Sequence, residues 1–328
     1  MLQTDNSIRG KVMRELIARV ASDNLIGRKF KSGELRKKMT EPEWWVPEFY
    51  NLRVIEEKNC RLELLECEIK NERLVLLQLH GGGYIGGMRN AYRSFAGLYS
   101  ELGRGMSVLT VDYRVAPEHP YPAALEDAIT GYNWLLQAGW QEHEIVVAGD
   151  SAGGGLALAL CMYLKNQNRK LPAGLICMSP WTDLTQSGAS YDFNYERDPL
   201  FGNTRDSLIY SKDYIQDEDP TNPYISPLYG NFSGFPPMLI QVGSYEMLLS
   251  DSELVAEKAK RAGCKVRLSV YEGMFHIFQM AMLMIPESKH AWQEIGRFLD
   301  IMEHHLPAEH LDEEDKEIES KFGEVEYE

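Results

Sequence analysis

The chain has 328 residues, of which 44% are hydrophobic and 25% are charged, and its formal net charge is −15. This composition is typical of a soluble globular protein, and the length suits a single large α/β unit. The acidic balance argues against nucleic acid as a partner. Because no apolar run approaches the roughly 20 residues of a membrane-spanning helix, no membrane partner is expected.

The start of the chain and its cysteines bear on localisation and redox chemistry. The first 16 residues lack the apolar block and the cleavage site of a signal peptide, so a cytoplasmic location is expected. The five cysteines are widely spaced and include no C-x-x-C pair. We therefore predict free thiols, with neither a disulfide framework nor a thiolate metal site.

Residues 1–48 are predicted to form an N-terminal helical segment. The apolar residues at helical spacing are Ile8, Val12, Leu16, Ile17 and Val20. Two prolines interrupt the pattern at 42 and 47. Segments with β alternation follow at 51–57 and 60–69, and they predict a hairpin at the edge of a sheet.

The chain then alternates short apolar runs with helical patterns. The further predicted strands are 73–80, 107–113, 144–149, 174–180, 238–243 and 265–273. Near-continuous apolar strands alternating with helices imply a mostly parallel sheet covered on both faces. The last strand could pair with its equivalent in a homodimer, or it could be covered by the C-terminal helix.

Residues 183–225 do not follow this alternation, because the segment is too long for a simple crossover. We predict helices outside the sheet that cap the carboxyl ends of the strands together with the N-terminal segment. The predicted organisation is an N-terminal cap segment at 1–48, a core at 49–185 and 226–306, inserted cap helices at 186–225, and an acidic tail at 307–328.

Residues 149–155, GDSAGGG, lie where a predicted strand ends and a helical pattern begins. A G-x-S-x-G sequence between a strand and a helix places its serine in a sharp, strained bend. Ser151 is therefore a candidate nucleophile, and the N–H of Ala152 is a candidate oxyanion donor. A phosphate-binding loop is the weaker interpretation, because no Lys-Ser or Lys-Thr closes the loop.

A second glycine-rich sequence, HGGG at 80–83, directly follows another predicted strand. Glycine lets backbone N–H groups face a substrate carbonyl without obstruction by a side chain. Gly82 and Gly83 are therefore candidate oxyanion donors, and His80 is expected to brace the loop by hydrogen bonding. An ordinary glycine-rich turn is the alternative interpretation.

A serine nucleophile needs a base, and the base needs a carboxylate that orients it. Of the eight histidines, His276 is favoured because it lies in the loop after the last predicted strand. Two carboxylates follow the preceding strand. Glu246 lies within the turn and is favoured, whereas Asp251 is expected at the N-cap of the next helix and is the alternative.

These sequences together resemble the hormone-sensitive-lipase family of α/β-hydrolase esterases. The resemblance covers residues 40–300 and is carried by HGGGYIGG (80–87), VDYRVAPEHPYPAALED (111–127), GDSAGGGLAL (149–158), SPWTDLT (179–185) and GMFHIFQ (273–279). It implies an α/β-hydrolase fold, with an eight-stranded, mostly parallel sheet flanked by helices and a helical cap. It also implies an enzyme without cofactor or metal.

The resemblance implies a serine carboxylesterase and assigns its site residues. The implied triad and oxyanion hole are Ser151, Glu246 and His276, with Gly82, Gly83 and Ala152. The sequence departs from the family at 245–248, where Tyr-Glu-Met-Leu replaces a turn that commonly contains aspartate and proline. The polar segment 183–225 favours soluble short- or medium-chain esters. Amide, lactone or carbamate hydrolysis would use the same groups, and a non-catalytic small-molecule receptor is the rival from another class.

Overall fold

Eight strands form one sheet in the order β1-β2-β4-β3-β5-β6-β7-β8. They are β1 (Tyr50–Glu56), β2 (Arg61–Cys67), β3 (Asn71–Leu79), β4 (Met106–Asp112), β5 (Ile145–Asp150), β6 (Gly174–Met178), β7 (Met238–Gly243) and β8 (Val266–Tyr271). The structure is a computed structural model that describes residues 7–22, 41–202, 211–307 and 310–311. Its sheet confirms the predicted fold class.

The first hairpin carries the antiparallel pairing of this sheet. β1 pairs antiparallel with β2, from Tyr50 opposite Cys67 to Glu56 opposite Arg61, and β2 pairs antiparallel with β4. The pairs from β4 through β8 are parallel. Because β1 has a neighbour on one side only, the hairpin lies at the edge of the sheet, as predicted.

Helices cover both faces of the sheet. They are α1 (Ile8–Ser22), α2 (Asn90–Leu102), α3 (Ala123–Gln137), α4 (Ala152–Asn166), α5 (Ser190–Phe193), α6 (Ser211–Ile215), α7 (Leu249–Arg261) and α8 (Pro286–Glu303). Leu76 of β3 packs in a cluster with α2 and α8, whereas its neighbour Leu77 packs in another with α3, α4 and α7. Both sides of β3 are therefore buried, which explains its continuous apolar run.

The N-terminal helix α1 matches the predicted spacing, but its apolar residues are not all buried. Met13 and Ile17 pack against a small apolar cluster that includes α8. Ile8, Val12 and Leu16 are instead 81%, 60% and 55% exposed. The apolar spacing thus predicted the helix, but it does not correspond to a single buried face.

Polar contacts account for the rotation of α1. Ser7 donates from its backbone N–H and its hydroxyl to Glu287, and Arg14 donates to the carbonyl of Gly273. These bonds fix which side of the helix meets the domain. Residues 41–47 form neither helix nor strand, and residues 23–40 of the predicted helical segment lie outside the described residues.

In its described part, the inserted segment forms two short helices outside the sheet, α5 and α6. It contacts the glycine-rich loop, because the ring of Tyr214 stacks on that of Tyr84 with centroids 3.9 Å apart. Residues 203–210 of this segment and most of the predicted acidic tail lie outside the described residues. The domain boundaries given above, and a homodimer through the edge strand β8, stay predictions.

The structure bears on two of the simpler expectations. Across the part of the chain that the structure describes, every helix is too short or too polar to span a bilayer. The five cysteines are free thiols, as predicted, and all are buried except the partly exposed Cys67.

Gly153, in the first turn of α4, gives a prediction about stability. A Cβ at this position would lie 2.1 Å from Leu79 O and 2.5 Å from His80 O. Because backbone atoms cannot move aside without shifting β3, Gly153→Ala should lower the free energy of unfolding by at least about 2 kcal/mol. Urea unfolding followed by circular dichroism measures this change.

Gly97→Ala in α2 is the matched control, because a Cβ there meets nothing within 4 Å. It should raise the free energy of unfolding by about 0.5–1 kcal/mol, since alanine loses less backbone entropy in a helix. A Gly153→Ala protein as stable as the unmodified chain would contradict the packing argument.

Candidate active site

Ser151 lies in the bend between β5 and α4, with a backbone φ of 51° and ψ of −122°. A positive φ at a residue other than glycine is strained, and such strain is concentrated at functional sites. Two hydrogen bonds hold the bend: Ser151 N donates to Met178 O at 2.9 Å, and Trp181 N donates to Ser151 O at 2.8 Å. The bend is thereby tied to the loop that follows β6.

His276 lies in the loop after β8 and reaches Ser151 across the carboxyl edge of the sheet. Its Nε2 is 3.0 Å from Ser151 Oγ, and its Nδ1 is 2.9 Å from Glu246 Oε2. All three side chains are buried, with exposures of 6% or less. Because a carboxylate can only accept, the proton lies on Nδ1, which leaves Nε2 free to accept from the serine hydroxyl.

The carboxylate of Glu246 is held at both oxygens. Oε1 accepts from Ser179 Oγ at 2.7 Å and from Gly243 N at 2.5 Å, while Oε2 faces His276. Ser179 also accepts from Ile277 N at 3.2 Å, so it connects the carboxylate with the loop of His276. Every oxygen of this buried carboxylate thus has a donor.

Asp251 is not at His276. It lies in the first turn of α7, where its Oδ2 accepts from Thr182 N at 2.7 Å and Asp183 N at 2.8 Å. Burial raises the pKa of its carboxyl to about 7. The prediction that Asp251 is the N-cap is wrong, because Leu248 occupies that position and the helix begins one residue later. The structure brings Glu246, and not Asp251, to the imidazole.

The glycine-rich loop follows β3, which pairs in parallel with β5, so it lies at the same carboxyl edge of the sheet as Ser151. Gly82 and Gly83 have φ values of 115° and 63°, which favour glycine, and Gly86 N closes the turn on Gly82 O at 2.8 Å. Among the described residues, no acceptor engages the backbone N–H of Gly82, Gly83 or Ala152. These three donors are therefore available for an oxyanion.

His80 and Asp150 brace this loop. His80 Nδ1 lies 2.7 Å from Gly81 O, and its ring stacks on Tyr113 with centroids 4.0 Å apart. Asp150 Oδ1 accepts from Gly81 N at 3.0 Å. Burial lowers the pKa of His80, so its imidazole is held neutral and suits a structural bond.

Four residues that contact the candidate triad or the turn of Glu246 were not predicted from the sequence. They are Ser179, Asn194, Asp198 and Phe201, and the Phe201 ring centroid lies 4.8 Å from that of His276. Ser179 had a usable signal, since it directly follows β6 just as Ser151 follows β5. Met247 stands where the resemblance implies proline, and its N–H donates to Asp198 at 2.8 Å.

One group of possible metal ligands occurs among the described residues, away from this site. It comprises Asp300, Glu303 and His304 at the end of α8. The guanidinium of Arg104 already pairs with Asp300, and its Nη1 lies 3.9 Å from Glu303 Oε2. The positive charge beside these carboxylates is therefore that of an arginine side chain. The group therefore gives no support for a metal site.

Comparisons with known proteins cover the same region. A family model described as alpha/beta hydrolase fold matches residues 76–280. An esterase from Acinetobacter venetianus is 41% identical over 228 residues, or 68% of this chain and 74% of that protein. An acetyl-hydrolase from Streptomyces hygroscopicus is 38% identical over 224 residues, again 68% of this chain and 74% of the relative.

Solved structures are similar over a longer range. A hormone-sensitive lipase from a metagenome library has a TM-score of 0.80 and 31% identity, covering 92% of this chain and 100% of its own. An esterase from the bacterial hormone-sensitive lipase family has a TM-score of 0.74 and 32% identity, covering 83% of this chain and 97% of its own. The family match spans every candidate site residue from Gly82 to His276.

Asp150 gives a prediction about pH. Burial raises the pKa of its carboxyl from 3.8 to about 7. The folded protein therefore binds this proton more tightly than the unfolded chain, and the stability that Asp150 contributes at low pH is lost as the pH rises from about 4 to about 7. Asp150→Asn cannot titrate, and it keeps an oxygen for Gly81 N–H.

We compare the free energy of unfolding of Asp150→Asn with that of the unmodified protein. The difference, variant minus unmodified, should rise by up to about 1.4 kcal/mol per pH unit between about pH 4 and about pH 7. Urea unfolding at several pH values measures the difference. Asp219→Asn is the control, because Asp219 is exposed and hydrogen bonds from Thr221 lower its pKa. A difference between Asp150→Asn and the unmodified protein that does not change with pH would contradict the prediction.

Proposed function

This chain belongs to the hormone-sensitive-lipase family of α/β-hydrolase esterases, and from that premise we propose that it hydrolyses short- to medium-chain carboxylic esters with a Ser151–His276–Glu246 triad. The observation that carries the proposal is the continuous chain of contacts from Ser151 Oγ to His276 Nε2 at 3.0 Å and from His276 Nδ1 to Glu246 Oε2 at 2.9 Å. A base within hydrogen-bond reach of the nucleophile, itself oriented by a carboxylate, is the arrangement that acyl transfer needs.

In the first step, Ser151 Oγ attacks the ester carbonyl carbon while His276 Nε2 accepts the hydroxyl proton. Glu246 stabilises the imidazolium that results. The N–H groups of Gly82, Gly83 and Ala152 bind the oxyanion of the tetrahedral intermediate, each contributing about 2.7–4 kcal/mol to the barrier reduction. The imidazolium then gives its proton to the leaving alcohol oxygen, and the C–O bond breaks to leave an acyl-Ser151 ester.

In the second step, water takes the place of the alcohol. His276 accepts a proton from the water as its oxygen attacks the acyl carbon, and the same three N–H groups bind the new oxyanion. The intermediate collapses when the Ser151 oxygen leaves and recovers the proton from His276. The carboxylic acid departs, and the enzyme returns to its starting state without a cofactor.

The surroundings of the glycine-rich loop support small substrates. Tyr84 and Trp181 are both buried, with ring centroids 6.3 Å apart, and Tyr214 of the inserted segment stacks on Tyr84. Closely packed aromatic rings leave little room for a long acyl chain. The inserted segment is rich in charged residues, which suits soluble esters better than a lipid interface.

Ser151→Ala tests the nucleophile. We expect it to lower kcat on p-nitrophenyl acetate by at least about 10⁴-fold, because the acyl-enzyme cannot form. A series of p-nitrophenyl esters from acetyl to palmitoyl, followed by absorbance, should give the highest kcat/KM at the short to medium lengths. A covalent serine inhibitor should abolish the activity of the unmodified protein.

An active Ser151→Ala protein would contradict the proposed mechanism. Amide, lactone and carbamate substrates belong in the same assay, because they need the same groups. If one of them reacted faster than the esters, the proposed substrate class would change but the proposed triad would not. Binding of all these compounds without turnover would favour the receptor alternative.

Glu246→Gln and Asp251→Asn, compared side by side, test the third member of the triad. Glu246→Gln should lower kcat by about 10³–10⁴-fold, since an amide neither stabilises the imidazolium nor keeps the proton on Nδ1. Asp251→Asn should retain most of the activity, because its carboxylate binds the backbone of Thr182 and Asp183. The reverse order of activities would assign the role to Asp251.

A further inference from the structure

Three buried polar side chains of the inserted segment lie beside the turn that carries Glu246, residues 244–248. Ser190 begins α5, and Asn194 and Asp198 follow at intervals of four residues. Hydrogen bonds from Asn194 N to Ser190 O and from Asp198 N to Asn194 O continue the helical path beyond α5. Four-residue spacing on such a path puts the side chains on one side. All three are at most 3% exposed.

Asn194 and Asp198 bind the peptide group that follows Glu246 at both of its polar atoms. Asn194 Nδ2 donates to Glu246 O at 2.8 Å and to Ser244 O at 2.9 Å. Asp198 Oδ2 accepts from Met247 N at 2.8 Å. This peptide group cannot rotate without leaving buried polar atoms unpaired, which costs about 1–3 kcal/mol for each one.

Ser190 secures the residues that follow this turn. Its Oγ donates to Met247 O at 2.6 Å and accepts from Ser250 N at 2.9 Å. Its backbone N–H donates to Ser250 Oγ at 2.8 Å. These bonds attach the start of α7 to the start of α5. The turn of Glu246 is therefore hydrogen-bonded to Asn194 and Asp198, and its end to Ser190.

Asp198 also binds the backbone of a residue that contacts the imidazole. Its Oδ1 accepts from Leu200 N at 2.9 Å and from Phe201 N at 3.0 Å. The ring of Phe201 packs on His276, with centroids 4.8 Å apart. One buried carboxylate therefore holds both the peptide after Glu246 and a ring that contacts the base.

We propose that Asn194 and Asp198 are positioning residues for the Glu246–His276 pair, an inference that rests on the proposed esterase function. Fixing the peptide after Glu246 fixes the point from which its long side chain reaches Ser179, Gly243 and His276. A misplacement of about 1 Å in a catalytic constellation can lower activity about 100-fold. The inserted segment thus contributes to catalysis through the geometry of the acid.

Asp198→Asn and Asn194→Ala, made in the full-length protein, test the inference on p-nitrophenyl acetate. An asparagine has one acceptor oxygen, so it cannot serve both Met247 N and the N–H groups of Leu200 and Phe201. We expect each variant to lower kcat by about tenfold or more, with KM changed by less than about threefold. Active-site titration with a covalent serine inhibitor expresses kcat per folded site.

Asp183→Asn is the matched control. Asp183 is a buried aspartate just before the inserted segment, and its carboxylate binds Thr185 and Ser187 rather than the turn of Glu246. Asp183→Asn should leave kcat within about twofold of the unmodified protein, because it does not change the hydrogen bonds that hold Glu246. If Asp198→Asn does not fold, the comparison of Asn194→Ala with Asp183→Asn decides.

A double-mutant cycle separates positioning from a general loss of stability. Asn194 donates to Ser244 O and Glu246 O, so if it acts through Glu246, adding Asn194→Ala to Glu246→Gln should lower kcat by less than about twofold more. An undiminished effect in that background would overturn the inference. So would kcat values for Asp198→Asn and Asn194→Ala that match Asp183→Asn while Ser151→Ala is inactive. An active Ser151→Ala protein would instead overturn the proposed function.

Discussion

The bend between β5 and α4 is the constraint on which the rest of the site depends. Ser151 keeps its left-handed φ of 51° because bonds to Met178 and Trp181 hold the peptide groups on both of its sides. A strained residue persists only where its surroundings over-determine it. The same loop after β6 supplies Ser179 to the carboxylate of Glu246. The position of the serine and that of the acid are therefore set by one shared segment.

Buried aspartates connect the loops around this bend. Burial raises the pKa of Asp150, Asp198 and Asp251, and each accepts hydrogen bonds from backbone N–H groups of another loop. Such bonds are directional, so they define the geometry of a loop more closely than apolar contacts do. The carboxyl edge of the sheet is thus organised by polar contacts, whereas the two faces are organised by apolar packing. This division suits a site whose atoms must stay in place while its scaffold stays stable.

Much of the fold and part of the candidate site could be predicted from local patterns. The strands were predictable because each is a short apolar run or a segment of alternating polarity. Ser151, His276 and the HGGG loop were predictable because each follows the end of a strand. The roles of Asn194 and Asp198 could not be predicted, because their partners are backbone atoms about 50 residues away in the chain. Every residue has such backbone atoms, so no sequence pattern identifies them as partners. The exposure of Ile8, Val12 and Leu16 could not be predicted for a related reason, since polar contacts set the rotation of α1.

The sequence by itself determined the order of strands and helices and the kinds of group at the carboxyl edge. These follow from local periodicity and from short motifs. Only the tertiary structure decided which carboxylate meets His276. Glu246 and Asp251 both follow β7, and no local pattern separates them conclusively. The turn points Glu246 across the sheet edge to the imidazole, whereas the first turn of α7 directs Asp251 to the backbone of Thr182. That outcome depends on contacts between distant segments, which form only when the whole domain folds.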